Sequence, residues 1–119
     1  HEIQEVMPWL DQIIVLHEGR LIQNDNAEET YKNPYNQYVA SLFGEVNIFS
    51  DEEKSAFNLS KNFWYPHEIK IADTGKEAVV VESRFAGSYY WTKVSVNNKQ
   101  LIIYTPEKAE GSVQLSFKD

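Results

Sequence analysis

At 119 residues the chain has room for one ordinary domain or two very small units. Its 42% hydrophobic and 13% aromatic composition supports a packed core and excludes wholesale disorder, while the lack of cysteine excludes disulfides and thiolate metal sites and fits a reducing compartment. The net charge of −7 is uneven, with eight acids against two bases in residues 1–49 and ten against nine in 50–119, so neither half offers the basic surface that nucleic-acid binding needs.

Ile3, Val6, Met7 and Leu10 recur at helical spacing, so a short helix is expected at the start, kinked or stopped by Pro8. DQIIVL and RLIQ flank His17-Glu18-Gly19, which predicts a hairpin with a loop of about three or four residues. No apolar run approaches the ~20 residues of a membrane-spanning helix. Asn26 with Glu29 reads as an N-cap for a helix over 27–32, stopped by Asn33-Pro34. Tyr35, Tyr38, Val39, Leu42 and Phe43 mark one face of a second helix ended by Gly44. A polar stretch follows, in which Ser50 and Glu53 spell a capping box. From Phe63 onward the chain reads as five short strands, FWYPHEIKI, AVVVESRF, YYWTKVSV, QLIIY and SVQLSFK, with Asn97-Asn98 as a tight turn. Five short strands bury their inward residues most economically in a small closed barrel of OB-like type. The fold class expected is therefore α+β, a helix-hairpin-helices segment followed by an antiparallel β-barrel.

Motifs that could carry chemistry are few. Thr74-Gly75-Lys76 lacks the other positions of a phosphate loop, since Lys70 and Glu77 stand where glycine and a hydroxyl residue would be needed. His1, His17 and His67 fall in unrelated local contexts without metal-ligand spacing, so no metal site is expected. Asp51-Glu52-Glu53 suits the positive end of a helix better than a cation, because consecutive residues do not converge. Tyr89, Tyr90, Trp91 and Tyr104 could form a base-stacking surface, but without a basic stripe they read better as core and cross-strand pairs. Nucleophile motifs such as GxSxG are absent.

Taken in order, an N-terminal His1, an acidic helix, LDQIIVLHEGRLIQ and NAEETYKNPYNQYVASLFGEVNIF resemble the closing section of the ATP-binding subunit of ABC transporters. The similarity is to importers of the sugar, polyamine, sulfate and iron type. The points of resemblance are Glu18-Gly19-Arg20, Tyr31, Pro34, Phe43-Gly44 and Asn47-Ile48. The second half resembles the TOBE domain of those subunits at Tyr65-Pro66-His67-Glu68-Ile69, Phe85-Ala86-Gly87 and Gly111-Ser112-Val113-Gln114-Leu115.

The resemblance implies that residues 1–46 end a nucleotide-binding domain and that 47–119 form the TOBE barrel. It matches His1 to the switch histidine that contacts the γ-phosphate and the attacking water. The phosphate-binding loop, Mg²⁺-binding acid, catalytic glutamate and signature loop have no counterpart in these residues. The chain is therefore expected to be the tail of a longer protein, inactive alone and without a cofactor of its own, the parent using ATP and Mg²⁺. Implied partners are the transporter's membrane subunits at the cytoplasmic face of the membrane and a small regulatory ligand. The apolar hairpin, with Ile13, Val15 and Leu21, is expected to pack against a sheet elsewhere in the parent and to drive a homodimer or an exchanged element. The alternative is a self-contained module whose barrel binds a small anion, a nucleic acid or a partner protein.

Overall fold

A computed structural model describes residues 2–118, with Glu2 and Gln4 by backbone alone. The chain divides into two compact units, His1–Glu45 and Val46–Asp119, and is built mostly of antiparallel strands with few, short helices.

In the first unit, helix α1 (Glu2–Val6) gives way to a 3-10 turn over Met7–Trp9 that contains Pro8. Proline cannot donate a backbone hydrogen bond, so it sits early in the tighter turn, where the donor would be unpaired anyway. Strands β1 (Ile13–His17) and β2 (Arg20–Asp25) pair antiparallel, with an irregularity in register between Val15 and Leu16. The connecting loop is shorter than the sequence implied. His17 pairs with Arg20, leaving only Glu18 and Gly19, with φ of 53° and 77°. Two consecutive left-handed residues make a primed turn, whose twist matches that of the strands; glycine takes this conformation at no steric cost.

Alternation sends Ile13 and Val15 to the buried side and leaves Ile14, Leu16 and Leu21 each 61% exposed. The expectation that Ile13 and Val15 wait for a surface elsewhere is thus corrected, because both are already covered here. The uncovered apolar residues are Leu21, as expected, together with Ile14 and Leu16.

Helix α2 (Ala27–Lys32) starts where the cap predicted, with Asn26 Oδ1 accepting from Glu29 N at 2.8 Å. The Glu29 carboxylate accepts instead from Asn33 Nδ2 at 3.0 Å, at the other end of the helix. Helix α3 (Gln37–Ser41) is capped by Asn36 Oδ1, which accepts from Val39 N. Only five residues long, it buries Val39 and Ala40, with Phe43 just beyond, while Tyr35, Tyr38 and Leu42 remain exposed. A single helical turn is too short to cover the whole face that the spacing marked.

The second unit opens with β3 (Asn47–Ile48) and α4 (Asp51–Ala56), the latter under a complete Ser50–Glu53 capping box. It continues with β4 (Phe63–Trp64), β5 (Ile69–Ala72), β6 (Lys76–Phe85), β7 (Tyr90–Val96), β8 (Lys99–Thr105) and β9 (Ser112–Phe117). FWYPHEIKI does not form one strand. Pro66 opens a 3-10 turn over Pro66–Glu68, closed by the Glu68 carboxylate accepting from Tyr65 N at 2.9 Å. This splits the stretch into β4, which pairs with β3, and β5, which joins the main sheet.

The main sheet is antiparallel with strand order β5-β9-β6-β7-β8. Among the described residues no ladder joins β5 to β8. Its inner face alternates Thr92, Val94 and Val96 on β7 with Leu101, Ile103 and Thr105 on β8, all buried. Phe49, Phe57, Trp64, Ile69 and Leu115 complete the core, with Phe117 edge-on to both Phe49 and Trp64. Asn97 and Asn98, with φ of 49° and 68°, form the tight β7–β8 turn that their sequence predicted.

Candidate functional site

Two of the cavities on the second unit are bounded by strand ends. The first, about 720 Å³, is bounded by the end of β5, the start of β6, the β7–β8 turn and the start of β9. Asp73 and Glu77 are its charged residues, accompanied by Ser95, Asn98, Gln114 and the half-exposed Val79. Gly75, in the turn that carries Asp73, has φ +150°, and a Cβ there would lie 2.1 Å from Leu115 O. That close approach between backbones explains the glycine without any phosphate, and Thr74-Gly75-Lys76 is the β5–β6 turn. With carboxylates and amides but no base on its wall, this cavity can accept hydrogen bonds and favours positive charge.

The second cavity, about 550 Å³, sits between β5 and the segment after β8, lined by Lys70, Tyr104, Pro106, Lys108 and Glu110 among others. Ile71 and Val113 border both cavities. Its two lysines are balanced by Glu107 and Glu110, so it has no overall preference for charge.

Asn47 is the residue whose importance the sequence least disclosed. It is buried, and its Nδ2 donates to Ile102 O at 2.8 Å and to Trp64 O at 3.2 Å, while its Oδ1 accepts from Ile102 N at 2.8 Å. The side chain thereby acts as one more rung on the edge of β8. The sequence marked it only as half of an Asn–Ile pair.

Of the residues singled out from sequence, His1 lies outside the described residues. His17 is half-buried at the hairpin end, its Nε2 3.0 Å from Glu18 and its ring 3.9 Å from and edge-on to Tyr38. His67 is exposed, with its ring parallel to that of Tyr65. Among the described residues no three His, Cys, Asp or Glu side chains converge as a metal site would require.

The acidic run at 51–53 divides its roles. Glu53 accepts from the Ser50 backbone N–H and lies 3.2 Å from Lys99, and these contacts hold its carboxyl below the usual carboxylate range. Asp51 accepts from Asn62 Nδ2. Tyr89, Tyr90, Trp91 and Tyr104 are half-buried rather than core: Tyr89 packs on Tyr104 at 4.1 Å, Phe85 is edge-on to its cross-strand partner Tyr90, and Lys93 lies over the Trp91 ring.

No helix among the described residues is long and apolar enough to cross a membrane. No protein-family model matches the chain. By sequence it is a relative of the ATP-binding subunits of ABC importers. The spermidine/putrescine import ATP-binding protein PotA of Borreliella afzelii is 35% identical over 78 residues, covering 66% of this chain and 22% of that protein. The protein of the same name from Vibrio cholerae is 26% identical over 107 residues, 90% of this chain and 24% of its own length. That from Mycoplasmopsis synoviae is 24% identical and covers 91% of the chain and 29% of its own length. The chain thus spans roughly a quarter of the length of the curated relatives it matches.

Proposed function

We propose that this chain is the C-terminal part of the ATP-binding subunit of an ABC importer, residues 1–46 ending the nucleotide-binding domain and 47–119 forming a TOBE-type module. The observation that carries this reading is coverage: nine-tenths of the chain aligns with relatives whose names describe import and ATP binding, within about a quarter of their length. On this reading the parent hydrolyses ATP with Mg²⁺ at the cytoplasmic face of the membrane, against its membrane subunits. The cargo is a polyamine, the class those relatives' names give.

His1 stands at the position of the switch histidine, and the catalysis resides in loops that these residues do not include. The five-stranded order, and Cα atoms of β5 and β8 within 8 Å of each other, support an OB-like barrel. The two cavities on that module support a regulatory role in which a small ligand is sensed. The apolar face of Ile14, Leu16 and Leu21 supports self-association.

The test is the coding DNA upstream of His1. An open frame continuing into a phosphate-binding loop is expected, and an unrelated sequence or a stop codon overturns the proposal. The purified 119-residue chain should not hydrolyse ATP, and hydrolysis that survives His1→Ala refutes the assignment of catalysis to other parts.

A further inference from the structure

Three hydroxyls form a hydrogen-bonded chain across the main sheet. Thr105 Oγ1 donates to Glu107 O at 2.7 Å, which uses its single proton. Thr92 Oγ1, 3.1 Å away, then donates to Thr105 in preference to Tyr90 O, which lies farther off at 3.4 Å. Ser83 Oγ, 2.9 Å from Thr92 Oγ1, must in turn donate to Thr92. The Ser83 oxygen finally accepts from Ala109 N at 3.2 Å. The relay starts and ends on the same segment, residues 106–110, after passing through β6, β7 and β8. Thr92 and Thr105 are buried, so the bond between them is shielded from water, and bonds aligned head to tail strengthen one another.

The segment it grips has little other hold. Pro106, Glu107, Lys108 and Glu110 are exposed and Ala109 is only half-buried, so core packing does not anchor it. Beyond it, Gly111 O accepts from Val80 N at 2.9 Å and starts the return into β9. The same five residues form one wall of the 550 Å³ cavity, opposite Lys70 and Ile71.

We propose that Ser83–Thr92–Thr105 is a latch that holds segment 106–110 against the sheet and so gates the cavity behind it. The latch goes beyond the transporter reading and stands whether or not that reading does. The relay ties the segment at two points through one buried element. Thr105 holds Glu107 and Ser83 holds Ala109, and Thr92, bonded to both hydroxyls, fixes the two anchors in place.

Hydrogen exchange on the whole chain tests the latch. Thr92→Val removes the middle hydroxyl at nearly constant volume. It should speed exchange of the Ala109 amide about tenfold, while the Val94 and Leu101 amides keep their wild-type rates. Thr92→Ser, which retains a hydroxyl, should restore slow exchange at Ala109. An unchanged Ala109 rate, or an equal acceleration throughout β7 and β8, overturns the latch. If Thr92→Val does not fold, Ser83→Ala removes the acceptor for Ala109 directly and is read by the same two criteria.

Gating has its own measurement. Because the chain has no cysteine, Tyr104→Cys places a unique thiol on the wall of this cavity and not of the first. Adding Thr92→Val, or Ser83→Ala in its place, should raise the labelling rate of that thiol by a similar factor. An unchanged labelling rate refutes the gate.

Discussion

Asn47→Ala should be among the most damaging single polar substitutions in the second unit. The side chain makes three hydrogen bonds at 2.8, 2.8 and 3.2 Å, to Ile102 N, Ile102 O and Trp64 O. Each intramolecular hydrogen bond contributes about 1 kcal/mol net, and stranding buried partners costs at least as much, so the loss is about 3 kcal/mol. At roughly 4–8 °C per kcal/mol for a unit of this size, the melting temperature should fall by on the order of 12–24 °C. Scanning calorimetry, with the near-ultraviolet signal of Trp64 and Trp91 as a second probe, measures it. Asn47→Asp separates hydrogen bonding from packing. The carboxylate has almost the same volume and can still accept from Ile102 N, but it turns acceptors toward Ile102 O and Trp64 O. It should destabilise at least as much as alanine. A melting shift below about 4 °C for the alanine variant, or a near-neutral aspartate, would show that the side chain does not hold the β8 edge.

Three further outcomes follow from particular contacts. Glu53 has its carboxyl held low by the Ser50 N–H and by Lys99. Its contribution is therefore fully present above the unfolded glutamate value of about 4.3 and is lost as pH falls through the lower folded value. The stability difference between wild type and Glu53→Gln in urea titrations should shrink from pH 7 to below pH 4, and a difference that is flat with pH would refute the assignment. Gly75→Ala places a methyl 2.1 Å from Leu115 O, which must push β6 and β9 apart; a loss of about 1–3 kcal/mol is expected in the same titrations, and a neutral effect refutes the close approach. Replacing Ile14, Leu16 and Leu21 together by threonine should leave the melting temperature within about 2 °C and abolish self-association in sedimentation. A wild-type chain that stays monomeric at high concentration refutes the role given to that face.

Much of the local structure was legible because it depends on neighbours in sequence. Asn26, the Ser50–Glu53 box, Pro34 and the Asn97-Asn98 turn act over a few residues, through backbone groups that any short chain presents. The order of hairpin, helices and strands pointed to the same importer relatives that alignment identifies. Legibility ended where distant residues settle the outcome. FWYPHEIKI reads as one strand in sequence, but its split at Pro66 depends on β3 offering Trp64 a partner from 17 residues earlier. The length of the α3 face depended on which of its side chains found cover.

The sequence by itself determined the caps, the turns, the alternation of the strands and the imbalance of charge between the two halves. Each follows from backbone geometry or composition. Only the tertiary structure decided that Asn47 reaches Ile102 across 55 residues and that Ser83, Thr92 and Thr105 align into one relay. Threonine and serine suit a strand wherever they fall, and a lone asparagine suits any loop. Strand register alone brings the three hydroxyl oxygens to 2.9 and 3.1 Å from their neighbours.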